Sequence, residues 1–132
     1  DVCSSDLNGN PNCHVVLRGG NGGPNYSEKH INGYEAELEK AKIKTKMIID
    51  CNHANSGKDP YKQPAVLEEI TRQKNLGNKS VVGFMVEGNI YSGSQAIPEN
   101  LTELKYGISV TDDCLDWENT EKAVLEMFRN LK

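Results

Sequence analysis

The chain has 132 residues, 36% hydrophobic and 26% charged, a composition that describes one globular domain and excludes both a disordered chain and a coiled coil. Fifteen Lys and Arg against nineteen Asp and Glu leave a net charge of −4, which removes the basic footprint of a protein that grips nucleic acid or anionic lipid through phosphates. Any phosphate site must therefore be local.

In chain order, a β-prone run over residues 13–17 leads to Arg18, and Gly19-Gly20 and Gly22-Gly23-Pro24 follow it. Ser27 is placed to cap a helix to about residue 42, with Ile31, Tyr34, Leu38 and Ala41 on one face. A second run, 46–49, leads to Asp50 and His53. A helix is predicted over 64–76, where Val66, Leu67 and Ile70 form the stripe and Gly77-Asn78 the stop. The third run, 80–86, ends on Glu87. From residue 88 to 105 the glycines, serines and prolines read as a long loop with at most a short helix near 99–104. A fourth run, 106–111, ends on Asp112. The last helix is predicted to begin near Asn119 or Thr120, with Ala123, Val124, Met127, Phe128 and Leu131 as its apolar face. Nearly continuous apolar character in the four runs predicts parallel strands covered on both faces.

The longest apolar runs fall far short of the roughly 20 residues of a membrane span. The opening residues also lack the basic start and apolar stretch of a secretion signal. No membrane partner is expected, and a reducing cytoplasm is the expected compartment. Cys3, Cys13, Cys51 and Cys114 are irregularly spaced and contain no Cys-x-x-Cys clip, so free thiols are expected.

Repeat length favours one α/β architecture. A (β/α)₈ barrel of about 250 residues spends roughly 31 per unit, and the gaps from Arg18 to Asp50, from Asp50 to Glu87 and from Glu87 to Asp112 are 32, 37 and 25. Four units fill the chain. A doubly wound sheet competes, but it concentrates its ligand at one switch point, whereas here every strand end carries a chemically active residue.

Arg18 offers a planar fork suited to phosphate or carboxylate, beside glycines that let a ligand approach the backbone. Taken alone, the Arg-Gly-Gly string reads more readily as a turn with Arg18 as a surface charge. His53, Glu87 and Asp112 make a mixed nitrogen and oxygen set suited to a divalent ion such as Mn²⁺, Fe²⁺ or Zn²⁺ if they converge. Individually, His53 reads as an exposed loop residue, and Glu87 and Asp112 as partners of Lys79 or Lys105. Lys58, Lys62 and Gln63 read as solvated loop residues rather than an anion site, and His14 and His30 carry no role.

These residues sit in strings that resemble class I 3-deoxy-D-arabino-heptulosonate 7-phosphate synthase. The strings are Cys13-His14-Val15-Val16-Leu17-Arg18-Gly19-Gly20 with Pro24-Asn25-Tyr26, and Met47-Ile48-Ile49-Asp50-Cys51-Asn52-His53-Ala54-Asn55-Ser56 with Lys58-Asp59 and Gln63-Pro64. Further on come Gly83-Phe84-Met85-Val86-Glu87, Gly93-Ser94-Gln95, and the run from Tyr106 through Cys114 with Trp117-Glu118.

The resemblance implies the C-terminal half of a (β/α)₈ barrel, with about four parallel strands over residues 9–132. It implies a metal-dependent condensation of phosphoenolpyruvate with erythrose 4-phosphate, the first step of the shikimate route to aromatic amino acids. Arg18 matches the arginine on the phosphoenolpyruvate phosphate. His53, Glu87 and Asp112 match three of four ligands to Mn²⁺, Fe²⁺, Zn²⁺ or Co²⁺, with His53 and Asp112 at the catalytic centre and Asp112 also orienting erythrose 4-phosphate. The family's cysteine ligand and its lysine- and arginine-bearing strings on earlier strands have no match, so the fragment alone is expected to be inactive. The full-length protein is expected to be a homo-oligomer, dimer or tetramer. Asn52 stands where Ser or Tyr is usual, Gly88 where Ser is usual and Asp113 where Ala is usual.

Residues 1–8 are read as a non-native leader, since the first seven match nothing in the family and back-translate to a sequencing-adapter string. Two other functions stay open: a noncatalytic phosphometabolite-binding module, and a related phosphoenolpyruvate-using sugar-acid synthase.

Overall fold

The computed structural model describes residues 10, 12–44 and 46–132, so the segment read as a leader lies outside the described residues. Three of the four β-prone runs form strands: β1 (Val15–Leu17), β2 (Met47–Asp50) and β3 (Val81–Met85). They are parallel, in the order β1-β2-β3, with Leu17 opposite Ile49 and Asp50 opposite Met85. Parallel neighbours require crossovers. Helix α1 (Glu28–Lys40) supplies the first, and the second passes through the short α2 (His53–Ser56), a 3₁₀ turn (Pro60–Lys62) and α3 (Gln63–Asn75). The protein is thus an α/β fold.

Side chains alternate across a strand, so Met47 and Ile49 share one face of β2, and both are fully buried. They join Leu17, Val81, Ile31 of α1 and Val66, Leu67 and Ile70 of α3 in one core. Burying each such side chain contributes about 1.5–3 kcal/mol. The opposite face departs from the expectation of two covered faces. Val16, Ile48 and Gly83 are aligned there by register, as are Asp50 and Met85, yet Val16 is 48% and Met85 37% exposed. Three strands cannot curl round to face themselves, so this row of side chains stays half open.

The fourth run is the main correction to the expected four strands. Residues 106–111 form no strand. They meet the preceding loop through an isolated bridge between Ser94 and Ser109, while Gly88 and Gly93 bridge to Leu115 and Cys114. Their backbone groups bond to that loop instead of to β3: Tyr91 N–H donates to the Gly107 carbonyl at 2.9 Å and Gln95 N–H to the Ser109 carbonyl at 2.8 Å. The Gln95 side chain also donates to the Lys105 and Ile108 carbonyls and accepts from Lys105 N–H. The short helix foreseen near 99–104 is a 3₁₀ turn, Leu101–Glu103.

Helix α4 (Trp117–Asn130) starts earlier than its apolar pattern indicates, because Asp116 caps it by accepting from Asn119 N–H at 2.8 Å. Of the stripe, Ala123 is buried and Met127 packs on the core, but Phe128 is 76% exposed. Ser27 precedes α1 as expected, although its hydroxyl bonds His30 Nδ1 rather than a helix amide. Among the described residues, no helix is long and apolar enough to cross a membrane.

Candidate metal centre at the strand ends

Asp50 closes β2 with a carboxylate only 1% exposed. A buried charge needs partners, and two groups supply them. Asn52 N–H donates to Oδ1 at 2.9 Å, and Oδ2 lies 2.7 Å from His53 Nδ1. This second bond holds His53 at φ 47°, in the left-handed region that non-glycine residues seldom adopt. With the Asp50 carboxylate as acceptor, Nδ1 is the donor, and Nε2 is left turned away from the strand.

Nε2 faces two more carboxylates, Glu87 Oε1 at 3.7 Å and Asp112 Oδ2 at 3.4 Å. One ligand atom from each of His53, Glu87 and Asp112 lies within 4.8 Å of the others. With Nε2 unprotonated, the arrangement turns a nitrogen lone pair and two carboxylate oxygens toward one point, and a divalent cation there would attract all three. The donor set therefore fits a metal. Lys79 and Lys105 do not form the ion pairs weighed for Glu87 and Asp112, whose carboxylates turn to His53 instead.

Glu87 is fixed from three sides. Its Oε2 accepts from Asn52 Nδ2 at 2.8 Å, its backbone N–H donates to Gln63 Oε1 at 2.8 Å, and its carbonyl accepts from Gln63 Nε2 at 3.0 Å. Gln63 is thus no solvated loop residue: it opens α3 and is fully buried. Asp112, in contrast, has a side chain 57% exposed. Its neighbour Asp113 accepts a short hydrogen bond from Ser94.

Arg18 follows β1 immediately, on the strand next to β2, and is exposed. Among the described residues it enters no ion pair and is not part of the three-residue cluster. Its turn is nevertheless tied to that cluster. Asn55, 4% exposed, donates to the carbonyls of Leu17 and Asp50, and its oxygen accepts from Asn25 N–H; Asn25 in turn accepts from Gly19 N–H. Gly19 has φ 72°, and a Cβ there would lie 2.8 Å from Ala54 Cβ. Only glycine lets the Arg18 turn pass so close to α2.

A cleft of about 170 Å³ beside His53 and Asp112 is lined also by Asn52, Lys58, Ser94, Thr111 and Asp113. Lys58 therefore borders the site, whereas Lys62 pairs with Asp59 at 3.4 Å outside it. Among the described residues Cys13, Cys51 and Cys114 are free thiols, as expected, and Cys3 lies outside the described residues. Burial, reinforced by the Asp50 charge, pushes the Cys51 thiol up to about 12, and burial also raises that of Cys114. Sequence reasoning missed the parts played by Asp50, Asn52, Asn55 and Gln63. Only the three-residue offset from Asp50 to His53 signalled any of them.

Residues 2–125 match the profile of the DAHP synthetase I family. The Tyr-sensitive phospho-2-dehydro-3-deoxyheptonate aldolase of Salmonella typhimurium is 44% identical over 123 residues, which are 93% of this chain and 34% of that protein. Its counterpart from Enterobacter agglomerans is 43% identical over 99% of this chain and 61% of that protein. The solved structure of the phospho-2-dehydro-3-deoxyheptonate aldolase from Francisella tularensis SCHU S4 superposes with a TM-score of 0.86 at 44% identity, covering 93% of this chain and 35% of that one. The chain spans about a third of the length of most of these relatives.

Proposed function

Because the chain belongs to the DAHP synthetase I family, we propose that residues 9–132 are the C-terminal half of a (β/α)₈ barrel in a 3-deoxy-7-phosphoheptulonate synthase. The whole protein joins phosphoenolpyruvate to erythrose 4-phosphate with release of phosphate, at the entrance to aromatic amino acid biosynthesis. The observation that carries this reading is the approach of His53, Glu87 and Asp112 to within 4.8 Å, His53 and Glu87 just beyond the C-terminal ends of β2 and β3, where barrel enzymes keep their chemistry.

His53, Glu87 and Asp112 hold the divalent cation, whether Mn²⁺, Fe²⁺, Zn²⁺ or Co²⁺. A cation bound there supplies Lewis-acid polarisation of the aldehyde carbonyl. Asp50 keeps His53 in the ligating tautomer, and Glu87 stays in place through Gln63 and Asn52. Asp112, the most open of the three, orients erythrose 4-phosphate. Arg18 forks onto the phosphate of phosphoenolpyruvate, at a turn that Asn25 and Asn55 fix relative to β2. The reaction forms a carbon–carbon bond between the enolpyruvate methylene carbon and the aldehyde carbon. Water adds at the adjacent enolpyruvate carbon, and phosphate leaves. A reducing cytoplasm agrees with the free thiols, and the full-length protein assembles as a homo-oligomer.

Heptulosonate formation from both phosphates with Mn²⁺, measured for this chain and for a version restored upstream, tests the proposal. Turnover from the restored chain alone is the expected result. Full-rate turnover by the short chain contradicts the need for the missing half, and none from the restored chain overturns the synthase reading. Calorimetry separates off the binding-module alternative, which requires tight phosphoenolpyruvate binding without metal.

A further inference from the structure

The two amides around Glu87 do different work. Gln63 makes a two-bond contact with the Glu87 backbone, 2.8 Å to the N–H and 3.0 Å to the carbonyl. Residue 87 lies beyond the end of β3, and the buried glutamine holds its backbone together with Leu115, whose N–H donates to the Glu87 carbonyl at 3.0 Å. Asn52, 3% exposed, acts on the Glu87 side chain rather than its backbone, and its Nδ2 also donates to the Asp113 carbonyl at 3.4 Å. Ser56 Oγ donates to Asn52 Oδ1 at 3.0 Å, which fixes the orientation of the amide and turns its NH₂ toward Glu87 Oε2 at 2.8 Å. Glu87 Oε1 is left toward His53 Nε2, 3.7 Å away.

We propose that Asn52 and Gln63 are positioning residues, and that Asn52 confines Glu87 to ligation through one oxygen and so sets the centre against large oxygen-seeking cations such as Ca²⁺. This rests on the metal reading above. Ca²⁺ takes six to eight oxygens and commonly chelates a carboxylate through both of them, whereas transition metals accept fewer donors and value the imidazole nitrogen. With Oε2 engaged, the three side chains offer one nitrogen and two oxygens. Release of Oε2 adds the oxygen that Ca²⁺ gains from most. A serine at position 52 is one heavy atom shorter between Cβ and the donor, so it does not span the same gap to Glu87.

Mn²⁺ titration of the 132-residue chain by electron paramagnetic resonance, with Ca²⁺ as competitor, tests this without any activity readout. Asn52→Ala and Asn52→Ser are expected to weaken Mn²⁺ by about 10-fold or more, the usual range for a lost outer partner of a ligand, while Ca²⁺ weakens less, so less Ca²⁺ displaces half the Mn²⁺. Ser56→Ala frees the Asn52 amide to turn, removes a single hydroxyl, and is expected to move the ratio in the same direction by a smaller factor. Gln63→Met removes backbone support only and is expected to weaken both ions in equal proportion. Equal losses of both ions in the Asn52 variants, or no change in them, overturn the proposal for Asn52. Unchanged Mn²⁺ affinity in Gln63→Met overturns it for Gln63. Absence of Mn²⁺ binding by the unaltered chain overturns the metal reading itself, and this proposal with it.

Discussion

The wall built from β1, β2 and β3 and the segment from Gly88 to Leu115 deliver ligands to the same place by different means. In the wall, His53 and Glu87 hang from a sheet with a fully buried core and from side chains that are themselves buried and bonded: Asp50, Asn52, Asn55 and Gln63. In the loop segment, Asp112 rests on isolated bridges and on the Gln95 amide, and more than half of its side chain is open to water. The candidate donors are thus held by buried, bonded neighbours on one side of the site and by a more open segment on the other.

Loss of the frame is expected to have the largest effect. Asn55→Ala removes two donated bonds and one accepted bond between β1, β2 and the Arg18 turn and strands buried carbonyls; about 3 kcal/mol of stability is expected to go, read as a shift in the urea midpoint. Gly19→Ala forces a Cβ against Ala54 at a backbone angle L-residues avoid, for about 2 kcal/mol. Gly20→Ala, where nothing lies within 4 Å of the added carbon, is the matched control and is expected to be near neutral. A loss from Gly20→Ala as large as that from Gly19→Ala would break the contrast.

Loosening the loop segment is expected to do something else. Gln95→Ala removes the amide that braces Lys105 and Ile108. Amide exchange over residues 105–112 is expected to accelerate while global stability falls by less than about 1 kcal/mol. A global loss matching that of Asn55→Ala would show that the two regions unfold as one.

The smallest effect is at the junction with α4. The Asn119 amide and side chain bonded to Asp116 hold its carboxyl below the usual carboxylate range. A depressed folded-state value means the cap contributes fully above the unfolded carboxylate value near pH 4 and is lost as pH falls through the lower folded value. Asp116→Asn is expected to flatten the stability-versus-pH curve only in that acid window; flattening near neutrality would contradict the assignment.

Hydrophobic pattern made β1, β2, β3, α1, α3 and α4 legible, because each sends at least one apolar side chain of its pattern into the shared core. Residues 106–111 carry the same β-prone chemistry without becoming a strand, since strand formation depends on a partner edge, and here the Gln95 loop takes the backbone groups. The half-open face around Val16 and Met85 was invisible for the same reason: sequence records which side chains are apolar, not what stands opposite. Arg18, His53 and Glu87 were legible as residues that follow strands and Asp112 as the end of a β-prone run that forms none, and the last three meet. Asn52 and Gln63 were not legible as a clamp, because an Asn and a Gln between a strand and a helix read as loop until chain reversal brings Glu87, 35 and 24 residues away, into contact.

The most direct measurement is pulsed electron paramagnetic resonance of one Mn²⁺ bound to the chain, compared with His53→Ala and Asp112→Asn. The account predicts coupling to an imidazole nitrogen that vanishes in His53→Ala and persists in Asp112→Asn at reduced affinity. Mn²⁺ bound without nitrogen coupling, or with coupling that survives the loss of His53, would contradict a shared centre at these strand ends.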